Sequence, residues 1–140
     1  MKFSLSTLQL LVALVAFSVT SPVKAQESIA ITEFMNEPRG TQSLTEWIEL
    51  YNFGASTVNL TGWNLKDDDT DNATLPNTSI PAGGFLILAR NKAQFEADWL
   101  AGFPSSQVVQ WVPSGATTTF ALSASADEII LRNAALVFVR

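Results

Sequence analysis

The chain of 140 residues contains no cysteine and no histidine. The absence of cysteine excludes a disulfide framework and every reaction that needs a thiol nucleophile. The absence of histidine removes the commonest general base and the commonest side-chain ligand of transition metals. A serine nucleophile would then need a lysine base, and neither Lys66 nor Lys92 lies in a motif that pairs the two. These absences predict that the protein is not an enzyme.

The first 25 residues have the pattern of a secretory signal peptide. Lys2 gives a positive start, an apolar run of about a dozen residues follows, and Ser21 and Pro22 end the run. Val23 and Ala25 occupy the two positions that a signal peptidase reads. The run is too short to cross about 30 Å of hydrocarbon. We therefore expect cleavage after Ala25, no transmembrane span in the mature protein, and a secreted, periplasmic or cell-surface location.

The mature part, residues 26–140, is long enough for one domain. Hydrophobic residues make up 47% of the chain, which is enough to form a core. After cleavage, six basic residues remain against thirteen acidic ones, a net charge of −7. That charge repels phosphate backbones and anionic membranes. We therefore expect no nucleic-acid partner.

Short apolar patterns separated by turn residues predict an all-β fold. The continuous apolar run Phe85–Ala89 predicts a strand that is buried on both sides. The only convincing helix begins at Lys92 and ends near Leu100, with Asn91 as its N-cap and with Phe95 and Trp99 as a packed pair. The predicted strands are residues 28–35, 46–53, 57–66, 85–89, 107–112, 118–122, 127–132 and 135–139. This set predicts a β-sandwich with one short connecting helix, and immunoglobulin-like domains have this size.

The strand predicted at residues 57–66 changes its apolar face part-way. Val58 and Leu60 share one parity, whereas Trp63 and Leu65 share the other. A regular strand would place these pairs on opposite faces. One extra residue near Thr61-Gly62 would restore a single apolar face, so the pattern predicts a β-bulge there.

Five motifs follow one another along the mature chain. They are I-T-E-F-M-N at 31–36, E-W-I-E-L-Y-N at 46–52, V-N-L-T-G-W-N-L at 58–65, I-P-A-G-G-F-L-I-L-A at 80–89, and L-S to D-E-I-I-L at 122–131. This series resembles the lamin tail domain in its bacterial, exported form. The resemblance covers nearly all of residues 26–140 and implies an immunoglobulin-like sandwich. It also implies an accessory module of exported proteins, often beside nucleases or other hydrolases.

Two features depart from the pattern of that family. Glu37 stands between Asn36 and Pro38, where the family has the asparagine directly before the proline. Asn133-Ala134 replaces the usual Asp/Gly turn of the final hairpin, and the chain stops at Arg140. The first departure concerns the loop after the first strand, and the second predicts either a short last strand or the front part of a longer reading frame.

The acidic loop after residue 66 is a candidate calcium site. Asp67, Asp69 and Asp71 would offer the hard oxygen ligands that Ca²⁺ takes. The loop does not follow the EF-hand pattern, because Asn72 stands where the glycine would be. The alternative is a solvated acidic turn that keeps the domain soluble and binds no cofactor.

Carboxylates and tryptophans are the remaining candidates. Glu33, Glu46 and Glu49 would hydrolyse glycosides only if two of them flanked a groove. The alternative is that they edge a sheet or pair with Arg39 or Lys66, and the resemblance implies that Glu33 and Glu49 bond loop backbone. Periodicity places Trp63 and Trp99 in the core. It leaves Trp47 and Trp111 partly exposed as candidate ligand contacts, for example as sugar-stacking rings.

Two functions fit these observations. The first is an exported, non-catalytic binding or adhesion module that contacts an extracytoplasmic protein or glycan through strand edges or loops. The second is the N-terminal accessory segment of a longer exported hydrolase or nuclease. The missing catalytic residue types favour the first, and the abrupt end at Arg140 favours the second.

Overall fold

The computed structural model describes residues 28–36, 45–67, 72–99, 104–111, 120–122 and 128–139. The predicted signal peptide, residues 1–25, lies outside them. Within the described ranges the chain forms nine strands and helix α1 (Lys92–Trp99). The strands are β1 (Ile29–Met35), β2 (Trp47–Asn52), β3 (Val58–Asn59), β4 (Asn64–Lys66), β5 (Asn72–Thr74), β6 (Ser79–Ile80), β7 (Phe85–Ala89), β8 (Val108–Gln110) and β9 (Ile130–Arg132).

The strands form three sheets. The largest has the order β1-β2-β7-β8, and the others have the orders β5-β4-β9 and β3-β6. All pairings are antiparallel except that of β7 with β8, which is parallel. A parallel pair needs a crossover, and α1 with the 3-10 helix Ser105–Gln107 supplies it. The prediction of an all-β sandwich with a short connecting helix is confirmed.

The main core lies between the sheets. Its buried side chains come from all three, which ties them into one unit. Members on the four-stranded sheet include Ile48, Leu50, Leu86 and Leu88, whereas Leu65, Ile80 and Leu131 come from the other two. Burial of this apolar surface is the dominant stabilising contribution to a fold of this kind.

Strand β7 is buried on both faces, as its apolar run predicts. Leu86 and Leu88 point into the main core. Ile87 and Ala89 point the other way and join a smaller cluster with Phe95 of α1. The helix therefore covers one end of the outer face of the four-stranded sheet.

Helix α1 begins as its sequence predicts. The Asn91 side chain accepts a hydrogen bond from the Gln94 N–H at 3.0 Å, which satisfies one of the free donors of the first turn. Gln94 does not reach back to complete a capping box, since its amide donates to Asp98 at 3.0 Å. Phe95 is buried, but Trp99 is 46% exposed, so the prediction that Trp99 belongs to the core is wrong.

The change of parity near residue 61 produces a turn and not a bulge. The Trp63 N–H donates to the Leu60 carbonyl at 3.0 Å, and Gly62 has φ +76°. A positive φ at the third turn position is typical of a type II turn and favours glycine. The turn ends β3 and lets the chain enter another sheet as β4. The predicted bulge is therefore wrong, although the special role of Gly62 and the inward direction of Leu60, Trp63 and Leu65 are confirmed.

The last strand is almost absent from the described residues. Residues 135–139 contribute a single bridge, which joins Phe138 to Arg132 of β9. The turn before it is closed by Asn133, whose side chain accepts from the N–H groups of Ala135 and Val137 at 3.0 and 3.1 Å. Val139 donates to the Leu131 carbonyl at 3.0 Å, so this segment lies along β9 without forming a regular ladder.

The sequence pattern did not predict two short strands, β5 and β6, and it predicted a strand at residues 118–122 that the described residues 120–122 do not form. Strands β5 and β6 have three and two residues, too few to show a period. Residues 120–122 form no strand, and residues 118–119 lie outside the described part. Of the described residues, none belongs to a helix with the length and apolarity that a membrane crossing requires.

Candidate interaction surface

The two tryptophans predicted as ligand contacts are interior residues, and the prediction that they are partly exposed is wrong. Trp47 is 6% exposed and Trp111 is fully buried. Trp47 lies under α1, in edge-to-face contact with Phe95 and Trp99 at centroid distances of 5.9 and 6.2 Å. Trp111 contacts Phe120 in the same way at 5.4 Å. Strand alternation places Trp47 on the outer face of β2, but it cannot predict that α1 packs over this residue.

The calcium prediction falls mostly outside the described residues. Asp69 and Asp71 lie in the gap at 68–71, so their positions stay predictions. Asp67 is described and is buried, at 6% exposure. Across the described ranges, no group of three potential metal ligands is close enough to hold an ion.

Glu46 is a buried structural carboxylate. Its two oxygens each lie 3.0 Å from Arg90 Nη1, and Oε2 also accepts the Leu122 N–H at 3.1 Å. The pairing with Arg39 or Lys66 that the sequence predicts is replaced here by Arg90. Since Glu46 is only 2% exposed, a substrate could reach it only by breaking this ion pair.

Glu33 and Glu49 lie on the outer face of the four-stranded sheet. They are register partners in the β1–β2 pair, next to an irregularity between Ile31 and Glu33. The Thr32 hydroxyl donates to Glu49 Oε1 at 2.7 Å. The resemblance implies that both carboxylates bond the backbone of a loop. In the described residues, the Glu49 carboxylate instead accepts a hydrogen bond from the Thr32 side chain.

An apolar groove separates the edge of one sheet from the edge of another. Its volume is about 540 Å³. One wall is formed by residues 29–31 of β1, and the other by residues 128–131 with Phe138 and Val139. Among the described residues that line it, Glu128 is the one with a charge. The groove therefore offers an elongated apolar surface between two strands.

Exposed apolar side chains continue this groove along the final hairpin. Leu136, Val137 and Phe138 are consecutive and are 62%, 46% and 53% exposed. The Arg132 guanidinium lies over the Phe138 ring, 4.9 Å from its centroid, which orients that ring. The groove and these three residues together form what we call the edge surface.

A second feature is a partly exposed aromatic pair on the outer face, at the end away from α1. The rings of Tyr51 and Phe85 are stacked across β2 and β7, with centroids 4.5 Å apart and an interplanar angle of 28°. Their cross-strand register explains the contact. Glu49 belongs to the same face of β2, so polar groups adjoin the rings.

Comparison with known families decides what kind of domain this is. The model of the lamin tail domain family matches residues 22–137. The chain belongs to the lamin tail domain family. No curated protein matches the chain. The lamin tail domain has an immunoglobulin-like fold, and this chain has the strand-rich, multi-sheet architecture of that fold.

The edge surface of this lamin tail domain was not identified from the sequence. The one available signal was the continuous apolar run at residues 135–139, which predicted a last strand. A strand that is paired only at Phe138 leaves its apolar side chains exposed instead of covered. The Tyr51–Phe85 pair was also missed, because it depends on the register of strands that are distant in sequence.

Proposed function

We propose that this lamin tail domain is an exported, non-catalytic module that binds an extracytoplasmic protein through the edge surface. The observation that supports it best is the run of exposed Leu136, Val137 and Phe138 beside an apolar groove. Soluble domains rarely expose contiguous apolar patches unless these contact a partner. The groove is an elongated space between two strands, a shape that suits a peptide segment.

Two further features support a binding role over catalysis. The described carboxylate that is best buried, Glu46, is already held by Arg90 and the Leu122 N–H. The chain also contains neither of the two residue types, histidine and cysteine, that most often serve as base and thiol nucleophile. The alternative of an accessory segment uses the same surface, which would then contact another domain of the same polypeptide.

Selection of peptides on the full chain tests the binding role. A phage-displayed library of random nonapeptides is panned on the immobilised chain, and affinities of the selected peptides are measured by calorimetry. We expect Phe138→Ser to weaken binding by about tenfold, because it removes an exposed apolar contact. Phe53→Ser is the matched control, since Phe53 is 51% exposed and does not line the groove. Equal affinities for both variants and the parent chain would contradict the proposal.

Export has its own test. We expect the protein recovered from outside the cytoplasm to have a mass that corresponds to a first residue of Gln26, because cleavage follows Ala25. A chain that keeps Met1 and fractionates with cytoplasmic proteins would show that the leader is not a signal peptide.

A glycan ligand is the second candidate, and the Tyr51–Phe85 pair favours it. Stacked aromatic rings next to a carboxylate resemble the surfaces that hold sugar rings, since the ring faces take the apolar side and carboxylates accept hydroxyl groups. On a glycan array, binding that Tyr51→Ala abolishes and Phe138→Ser leaves intact would replace the protein-partner proposal with this one.

A further inference from the structure

We infer that the groove of the edge surface takes an extended strand from the partner protein, which adds to the edge of β1 that no described strand occupies. This inference rests on the proposed function and specifies how the partner binds. It follows from two observations, which concern the direction of the β1 backbone groups and the walls of the groove.

The backbone of β1 directs hydrogen-bonding groups away from β2. The Phe53 N–H donates to the Ser28 carbonyl at 2.9 Å, which marks Ser28 and Phe53 as a hydrogen-bonded pair. In an antiparallel ladder such pairs alternate, so Ala30 and Tyr51 form the next one. The N–H and C=O groups of Ile29 and Ile31 therefore point to the opposite side of β1.

The pairing of β2 with β7 leads independently to the same conclusion. The Asn52 N–H donates to the Gly84 carbonyl, and the Gly83 N–H donates to the Asn52 carbonyl, each at 2.9 Å. The N–H and C=O groups of Asn52 therefore both point toward β7. They cannot bond Ile29, which is the register partner of Asn52 in β1. Among the described strands, β2 is the one neighbour of β1, so these outward groups face the groove.

The groove fits an extended backbone better than other ligands. Donors and acceptors repeat along β1 with the spacing of a strand, and another strand matches that spacing. The walls beyond them are apolar, and Ile31, Ile129 and Val139 are partly buried residues packed against the main core. An added strand would satisfy the edge groups of β1 and cover these walls at the same time.

The geometry also specifies the sequence of the added strand. Side chains of a strand alternate between faces, so every second residue would enter the sandwich side of the groove and the others would face solvent. We expect about five residues with apolar side chains at alternate positions. The mature part carries a net charge of −7, so a basic residue in the added strand would complement the charge of the domain.

Hydrogen exchange in the parent chain tests the inference directly. A peptide selected on the immobilised full chain is added at saturating concentration, and amide exchange is followed by NMR. We expect the Ile29 and Ile31 amides to exchange at least about tenfold more slowly in the complex, because strand pairing occupies them. Binding without this protection overturns strand addition but leaves the proposed binding role standing, since side-chain contacts at Phe138 would then account for it.

A pair of variants separates the backbone contribution from side-chain packing. Ile31→Pro and Ile31→Ala both remove the branched side chain of Ile31, but only proline removes the outward N–H. Proline is tolerated on an edge strand where that N–H faces away from its neighbour. We expect Ile31→Pro to bind the selected peptide about tenfold more weakly than Ile31→Ala. Equal affinities overturn the inference, and the exchange measurement decides it if Ile31→Pro fails to fold.

A second copy of the chain is the competing occupant. Light scattering coupled to size exclusion gives the mass of the full chain with and without the selected peptide. A monomer that binds the peptide supports the inference. A dimer that the peptide does not dissociate, with the Ile29 and Ile31 amides already protected, assigns the groove to self-association and overturns it.

Discussion

A buried polar side chain stabilises each end of strand β2, and the two side chains differ in the hydrogen bonds that they make. At one end, the Glu46 carboxylate only accepts hydrogen bonds, from Arg90 and from the Leu122 N–H. At the other end, the Asn52 amide, fully buried, both accepts and donates. It accepts from the Ser28 hydroxyl and the Gly54 N–H, and it donates to the carbonyls of Ser56, Ile80 and Pro81.

The difference follows from what each end must connect. The Glu46 end meets a guanidinium and a backbone N–H, which are donors, so a carboxylate matches them. The Asn52 end meets donors and carbonyl acceptors from several loops, and a neutral amide is the small side chain that can serve both. We therefore expect a charge to be tolerated at the first end and not at the second.

The largest effect is expected for Asn52→Asp. A carboxylate cannot donate to the three carbonyls, and it would bring an uncompensated charge into a site with no exposure. We expect a loss of about 4 kcal/mol in the free energy of unfolding. Asn52→Ala, the control without the charge, should lose about 3 kcal/mol through buried groups left without partners. Urea unfolding measures both, and an Asp variant as stable as the parent would show that the amide donors are dispensable.

A smaller loss is expected for Arg90→Ala at the other end. It leaves Glu46 buried without its counter-ion, which should cost about 3 kcal/mol. Arg90→Lys keeps the positive charge but loses the planar geometry, so we expect about 1 kcal/mol. Thermal unfolding by calorimetry ranks the two variants. If alanine and lysine are equally damaging, the charge of Arg90 contributes little to this end of the strand.

The backbone of the loop at the Asn52 end is a third point of comparison. Gly83 has φ +66°, and a Cβ there would meet no atom within 4 Å. Gly83→Ala should therefore cost about 1 kcal/mol from backbone strain alone. Gly83→Asn should cost less, because asparagine adopts the left-handed region more readily. Fluorescence-detected melting compares them, and a stabilised alanine variant would contradict this account of the turn.

The smallest effect is expected for Ser28→Ala. It removes one of the two bonds that Asn52 Oδ1 accepts, while the Gly54 N–H still satisfies that oxygen. We expect a loss of about 0.5–1 kcal/mol. Thr32→Ala is the control, since the exposed bond from Thr32 to Glu49 should contribute close to zero. Guanidinium unfolding curves of the two variants that coincide would show that the Ser28 bond has no more value than a surface contact.

Local features were predicted well because their causes lie within a few residues. The N-cap at Asn91, the doubly buried run of β7 and the unusual backbone of Gly62 each depend on neighbouring residues, although a bulge was predicted where Gly62 forms a turn. The candidate site was not predicted from the sequence. Its groove is built from residues 29–31 and 128–139, which only the arrangement of the sheets brings together.

The amino-acid sequence by itself determined that the chain has no thiol and no imidazole and where the chain turns, because residue types and short-range backbone preferences need no partner. Only the tertiary structure decided that Trp47 and Trp111 are buried, since α1 and Phe120 cover them from a distance in sequence. It also decided that Glu46 pairs with Arg90, which lies 44 positions away along the chain. Burial and ion pairing depend on which elements meet in space, and no local pattern contains that information.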